Sequence, residues 1–209
     1  MNKSLIIACD GEAASGKSTG AKLLSKKYNL LLLNSGLLYR YASKVLITKK
    51  PKKPIPYLKK IFKKVSYNSI QKQSLHSQEI SNHVSYLAKN KAVREIMRLY
   101  QKKIIKKNKR ICVEGRDIAT KILNNNPKYD LAFYFTCKIN ISAKRRWKEL
   151  RKRVPLKEVQ RSLAKRTKMD KRRKHSPLKK VSDAILIRTD KLSRKEVLNK
   201  MSKAVNRII

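Results

Sequence analysis

The chain has 209 residues, 41% of them hydrophobic, enough to bury roughly 70% of the surface of the unfolded chain and so to fold around one substantial core. Its formal net charge of +42 would draw any polyanion, yet the lysines run through the whole sequence beside many isoleucines and asparagines, as a bias towards A/T-rich codons also produces. Non-specific polyanion binding is therefore expected and a specific nucleic-acid partner is not, since 6% aromatic residues leave little for base stacking.

In chain order, Ser4 to Cys9 is a short apolar run ending at Asp10, followed by Gly11 and Gly16 and then a helical pattern carrying Leu23 and Leu24. It reads as strand, loop, helix, the opening of an α/β domain. The run is shorter than the ~7–15 residues of a signal-peptide core, and the longest uncharged apolar-rich stretch, Leu30 to Tyr39, is about half of the ~20 residues a membrane helix needs. A cytoplasmic protein with no membrane association is expected. Further strands are predicted at Leu30 to Leu33, Arg110 to Val113, Leu131 to Phe135 and Ala184 to Ile187, with helical stretches between them. Short continuous apolar strands alternating with helices predict a five-stranded parallel sheet covered by helices on both faces. Cys9, Cys112 and Cys137, odd in number and without paired short spacing, read as reduced core residues.

Two segments break the alternation. Thr48 to Pro56 places three prolines among lysines and opens a largely helical stretch to about Lys107, which reads as an insertion at 48–107. The core is then 1–47 with 108–209. Within it Arg151 to Pro177 has almost no strand signal and is dense in arginine and lysine; a basic lid at about 151–177 and a solvated helix pair both fit.

Gly11-Glu12-Ala13-Ala14-Ser15-Gly16-Lys17-Ser18 fits the phosphate-loop pattern G-x-x-x-x-G-K-[ST], in the required strand–loop–helix setting. Glycines allow the unusual dihedrals that turn backbone N–H groups towards phosphate oxygens. The helix that follows adds its positive dipole end and Lys17 a full charge, while the Ser18 hydroxyl suits Mg²⁺. Chance would supply such a match in about one chain of this length in a hundred. ATP bound by Gly11 to Thr19 with Mg²⁺ is the expectation, and the loop alone does not name the acceptor.

Five segments in one order resemble the bacterial cytidylate kinases, a branch of the nucleoside monophosphate (NMP) kinases. They are CDGEAASGKST at Cys9 to Thr19, NSGLLYR at Asn34 to Arg40, LHSQEISNHVSYLAKNKAVRE at Leu75 to Glu95, VEGRDIAT at Val113 to Thr120, and RTKMDKRRKHSPL at Arg166 to Leu178. The resemblance spans nearly the whole chain. It implies a P-loop NMP-kinase-like α/β fold, an NMP-binding role for the helical insertion, a lid, and transfer of the ATP γ-phosphoryl group to CMP or dCMP by a monomer.

The residues that the resemblance assigns make physical sense. A dianionic acceptor phosphate needs planar guanidinium forks; Arg40, Arg116 and Arg173 look like those forks, with Ser35 beside the phosphate and Tyr39 packing on the nucleoside. Cytosine pairs an amino donor with two acceptors, so its pocket needs a carboxylate together with a guanidinium or hydroxyl. The resemblance gives those places to Asp117, Arg94 and Ser85, and the ribose hydroxyls to Arg166 and Asp170. Arg166 and Asp170 also stand four apart on a predicted helix, where they could simply pair with each other. Lys17, Arg116 and Arg173 are the candidates for stabilising charge in the transition state. Asp10 and Glu114, both at strand ends, are candidates to assist Ser18 in holding Mg²⁺ through water.

Some positions depart from the family pattern: Ala119 where glycine is usual, Glu114 where aspartate is common, His76 where arginine is usual. The lysine-rich stretch Thr48 to Ser74 is poorly matched, and Arg188 and Asp190 after the last strand are atypical. His76, His83 and His175 have no metal-ligand spacing. The alternatives are a P-loop kinase of another acceptor such as UMP, against which Asp117 and Arg94 argue, and a basic RNA-binding P-loop protein, against which stands the absence of an N-K-x-D guanine signal.

Overall fold

Strand β1 (Leu5–Gly11) is buried along its whole length, which explains why its sequence shows no polar alternation. The computed structural model, which describes residues 3–209, places β1 at the centre of a five-stranded sheet. With β2 (Leu31–Asn34), β3 (Arg110–Glu114), β4 (Leu131–Thr136) and β5 (Ile185–Arg188), the order is β2-β3-β1-β4-β5. β1 runs parallel to β3, with Leu5 opposite Arg110, and to β4, with Gly11 opposite Phe135; β4 runs parallel to β5. The five strands stand where their apolar runs predict them, and the fold is α/β. β1 continues two residues beyond Cys9 because Asp10 and Gly11 still pair with Tyr134 and Phe135.

The chain divides into two compact units, one running up to Leu33 and resuming at Asn108–Ile209, the other spanning Asn34–Lys107. In the larger unit α1 (Lys17–Lys27) and the C-terminal helix cover one face of the sheet. Leu5, Ile7 and Cys9 of β1 meet Ala21 and Leu24 of α1, Phe133 and Phe135 of β4, and Val197, Met201 and Val205 of that helix. The helix at Arg194–Val205 begins with a full capping box, Ser193 and Glu196 each bonding the other's backbone N–H. A second cluster joins Ala13 of the phosphate loop to Ala143, Val159 and Leu163, which belong to helices at Ile139–Glu149 and Leu156–Arg172. The basic stretch is thus helical over Leu156–Arg172, with Val159 and Leu163 turned inward and most of its lysines exposed. Cys9 and Cys112 are buried free thiols, and Cys137 is a half-buried one.

The smaller unit is all helical: α2 (Ser35–Lys49), α3 (Pro54–Lys64), α4 (Tyr67–Gln71), α5 (Gln78–Leu87) and α6 (Lys91–Lys107). By the same chain order the helices of the larger unit are α7 (Ile139–Glu149), α8 (Leu156–Arg172) and α9 (Arg194–Val205). Asn34, Ser66 and Ser77 cap α2, α4 and α5 through their side chains, and proline opens α3, where no N–H is needed. Phe62 packs edge-on against Tyr41 and Tyr100, ring centres 5.8 and 5.1 Å away, tying α2, α3 and α6 together. Among the described residues no helix is long and apolar enough to cross a membrane.

Candidate nucleotide-phosphate site

The phosphate loop leaves β1 in close contact with the end of β4. A Cβ on Gly11 would lie 2.4 Å from the Phe135 carbonyl oxygen, so only glycine passes here, and the Glu12 N–H donates to that same oxygen at 3.0 Å. Ala14 and Gly16 have left-handed dihedrals, φ 53° and 80°, and Gly16 caps α1. The loop's carbonyls are held by side chains. Arg116 Nη1 donates to Gly11 O at 2.7 Å and Glu12 O at 3.2 Å, the Ser15 hydroxyl to Glu12 O at 3.0 Å, and the Thr189 hydroxyl to Ser15 O at 3.0 Å.

Lys17 opens α1 and is 8% exposed, its Nζ 3.2 Å from Oε2 of Glu114 at the end of β3. Burial pulls the Lys17 pKa down and the Glu114 carboxylate opposes that fall. Glu114 is itself 1% exposed, and its Oε1 is buried without a hydrogen-bond partner. Asp10 is equally buried, but both its oxygens are engaged, accepting from the N–H groups of Ile118 and Ala119 at 2.9 and 2.8 Å. Those residues open a π-helical turn, Ile118–Ile122. Burial raises the Asp10 pKa to about 6, with the two backbone N–H bonds opposing the rise.

Beside the loop lies a compact cluster of charge. Arg116 Nε donates to Asp170 Oδ2 at 2.9 Å, Arg173 Nη1 to Asp170 Oδ1 at 3.3 Å, and Arg173 Nη2 lies 3.7 Å from Asp117 Oδ1. Arg166 is half-buried one turn before Asp170 on α8. A cavity of about 440 Å³ adjoins these elements, lined among others by Glu12, Ala13, Cys137, Ser142, Thr167 and Lys171.

The smaller unit carries the other predicted residues. Ser35 is buried at the first position of α2, and Tyr39, one turn on, has the Arg94 guanidinium 5.8 Å above its ring. Arg94 donates to Ala88 O at 3.1 Å. Arg40 Nη1 donates to Leu75 O at 2.9 Å and to the Ser81 hydroxyl at 3.0 Å, and Ser85 bonds back to Ser81 O at 3.5 Å. His76 is exposed.

The structure therefore brings together Gly11 to Ser18, Glu114, Arg116, Asp117, Asp170 and Arg173 in the larger unit, and Tyr39 with Arg94 in the smaller. Ser18 and Thr19 are exposed in the first turn of α1. Three contacts with the loop escaped the sequence: Thr189, itself held by Arg145, the Thr167 hydroxyl 3.4 Å from Ala13 N, and Lys171 2.6 Å from Glu12 Oε1. Thr167 and Lys171 stand inside the matched segment Arg166 to Leu178 without a role of their own there, Thr189 and Arg145 stand outside every matched segment, and each comes from an element remote in sequence.

Known proteins match this chain over almost its whole length. It is 34% identical to the cytidylate kinase of Rickettsia akari, covering 96% of this chain and 91% of that one. It is 37% identical to the bifunctional pantoate ligase/cytidylate kinase of Prochlorococcus marinus, covering 99% of this chain but only 44% of that longer protein. Among solved structures an uncharacterised protein from Eubacterium ventriosum superposes with a TM-score of 0.59 at 20% identity, covering 98% of this chain and 99% of the other, which is likeness of fold. Residues 7–207 match the cytidylate kinase family, and the chain belongs to that family.

Proposed function

We propose that this protein transfers the γ-phosphoryl group of ATP to the phosphate of CMP or dCMP. The observation that carries the reading is Arg116: one guanidinium bonds the carbonyls of Gly11 and Glu12 in the phosphate loop and, through Nε, the Asp170 carboxylate. A guanidinium so placed can serve donor and acceptor phosphates alike.

ATP phosphates would lie on the N–H groups of the loop with Lys17 supplying full charge. The CMP phosphate would take the guanidinium forks of Arg40, Arg116 and Arg173 beside Ser35. Tyr39, Ser85, Arg94 and Asp117 would read the nucleoside, and Arg166 and Asp170 the ribose. Phosphoryl transfer needs alignment and charge stabilisation more than a protein nucleophile, so an oxygen of the acceptor phosphate would attack the γ-phosphorus in line while the bond from that phosphorus to the β–γ bridging oxygen breaks and ADP leaves. Closure of the basic segment about α8 would exclude water from that step.

Mg²⁺ fits the residues present. The Ser18 hydroxyl stands at the head of α1, and the buried Oε1 of Glu114 is a hard oxygen with no hydrogen-bond partner. Ser18 and, through water, Glu114 would hold the ion; Asp10, with both oxygens on backbone N–H groups, is the weaker candidate. When bound, the ion would neutralise phosphate charge. A monomer acting in the cytoplasm completes the proposal.

The test is transfer from Mg-ATP to CMP, dCMP, UMP, AMP and GMP offered separately, with a Lys17→Ala control. Activity confined to CMP and dCMP and lost in the control supports the reading. Preference for UMP or AMP overturns the roles of Asp117 and Arg94, and no transfer at all overturns the function.

A further inference from the structure

Thr189 lies one residue beyond β5 and is 2% exposed. Its backbone N–H donates to Thr136 O at 3.0 Å, which pins it to the end of β4. Its hydroxyl faces Ser15 O at 3.0 Å, with Thr136 O farther away at 3.4 Å. Its methyl group lies 3.6 Å from where a Cβ on Gly16 would stand. Arg145 on α7 grips the residue twice, Nη2 donating to Thr189 O at 2.7 Å and Nη1 to Thr189 Oγ1 at 3.1 Å. Since an arginine can only donate, it occupies a lone pair of Oγ1 and leaves the hydroxyl hydrogen to be given to Ser15 O.

The carbonyl of Ser15 and the N–H of Gly16 belong to one planar trans peptide and point in opposite directions. Holding that carbonyl outward turns the Gly16 N–H inward, in a loop whose task is to present N–H groups to phosphate. Arg116 does the same at the other end, on the carbonyls of Gly11 and Glu12. We propose that Thr189, oriented by Arg145, is a positioning residue for ATP: the Arg145–Thr189–Ser15 chain of hydrogen bonds sets the phosphate-facing direction of the Gly16 N–H. This rests on the reading of the loop as the ATP site and adds two residues to it.

The test is ATP affinity, measured by calorimetry without acceptor, alongside KM for ATP and for CMP. Thr189→Val keeps the shape and removes the hydroxyl; it should weaken ATP binding and raise KM for ATP by about tenfold, the worth of one such bond, while KM for CMP stays within about twofold. Thr189→Ser, which keeps the hydroxyl, should restore ATP affinity to within about threefold of wild type. Unchanged ATP affinity in Thr189→Val, an equal rise in both KM values, or no rescue by serine overturns the proposal. Should the valine variant fail to fold, Arg145→Gln must still weaken ATP binding severalfold, and wild-type affinity there overturns it equally. If the wild-type protein binds ATP yet transfers nothing to CMP, the proposed function fails while the affinity series still decides the role of Thr189.

Discussion

In the phosphate loop the groups that would face a nucleotide are backbone N–H groups, and side chains hold them in place from behind. In the cluster of Arg116, Asp117, Asp170 and Arg173 the functional groups are side chains that hold one another. The loop is therefore set before a ligand arrives, its carbonyls tied to Arg116, Ser15 and Thr189 and its course fixed by the close passage of Gly11 past Phe135. The cluster is compensated internally, each guanidinium spending charge on a carboxylate. Under the proposed function, an acceptor phosphate would have to take those guanidiniums over from Asp170 and Asp117, so binding there would be an exchange of partners, whereas binding at the loop would fill donors already aimed. Changes behind the loop should act through geometry and changes in the cluster through competition.

Lys17→Ala tests the loop most severely. Removing its charge from the reacting phosphates should lower the transfer rate by about a thousandfold. It also strands Glu114, 1% exposed and left without its cation, which should cost about 3 kcal/mol or more in urea unfolding. A Lys17→Ala, Glu114→Gln double variant should recover most of that stability and none of the transfer. Recovery of both would mean that Lys17 serves the fold rather than the phosphates.

Next in size is the pH dependence set by Asp10, the strand-end carboxylate behind the loop. In the unfolded chain it titrates near 3.8 and in the fold at about 6, because burial disfavours its charged form. Between those values the native state holds the proton that the unfolded state has released, so stability is full below about pH 4 and falls as pH rises through 6. The separation corresponds to about 3 kcal/mol. Unfolding measured from pH 4 to pH 7 on wild type and Asp10→Asn should show the stability difference between them shrinking by that order as pH rises. A constant difference would mean that the bonds from Ile118 and Ala119 keep Asp10 ionised throughout.

The cluster is tested by Asp170→Ala. If Asp170 serves the acceptor, KM for CMP should rise about tenfold while KM for ATP stays within about twofold. Arg116 loses a competitor in this variant, so part of the lost ribose contact is offset by a guanidinium freer for phosphate. Equal rises in the two KM values would place Asp170 with the loop and erase the distinction between the two regions.

What the sequence made legible divides along the same line. The strands were legible because buried parallel strands are short continuous apolar runs, and the loop because its function depends on glycines at fixed spacing. The bracing of the loop was not. Thr189 meets Ser15 across 174 residues, and the atypical Arg188 and Asp190 on either side of it draw notice to the segment but not to the threonine. For Asp170 the resemblance implies a ribose contact and the spacing alone an i, i+4 pair with Arg166; neither announces that the fold brings it Arg116 from 54 residues away and Arg173 from the end of its own helix. Asp10 reads as a carboxylate that could hold a metal ion or its waters, and no spacing signal announces the π-helical turn that offers it two backbone N–H groups. Periodicity and spacing report local geometry, and these contacts are set by where strand ends meet.

The smallest effect is expected where loop and α8 meet through exposed charge. Lys171 Nζ lies 2.6 Å from Glu12 Oε1, but its side chain is 48% exposed, so solvent screens the pair and its worth is below about 1 kcal/mol. Lys171→Ala should change ATP affinity by no more than about twofold, because the geometry of the loop is fixed by the anchored carbonyls and not by Glu12. Measured at low and at high salt, the small difference should shrink further as salt rises. A tenfold loss that salt abolishes would show that α8 steadies the loop by charge, and the loop would then share the dependence on exchangeable partners that otherwise belongs to the cluster.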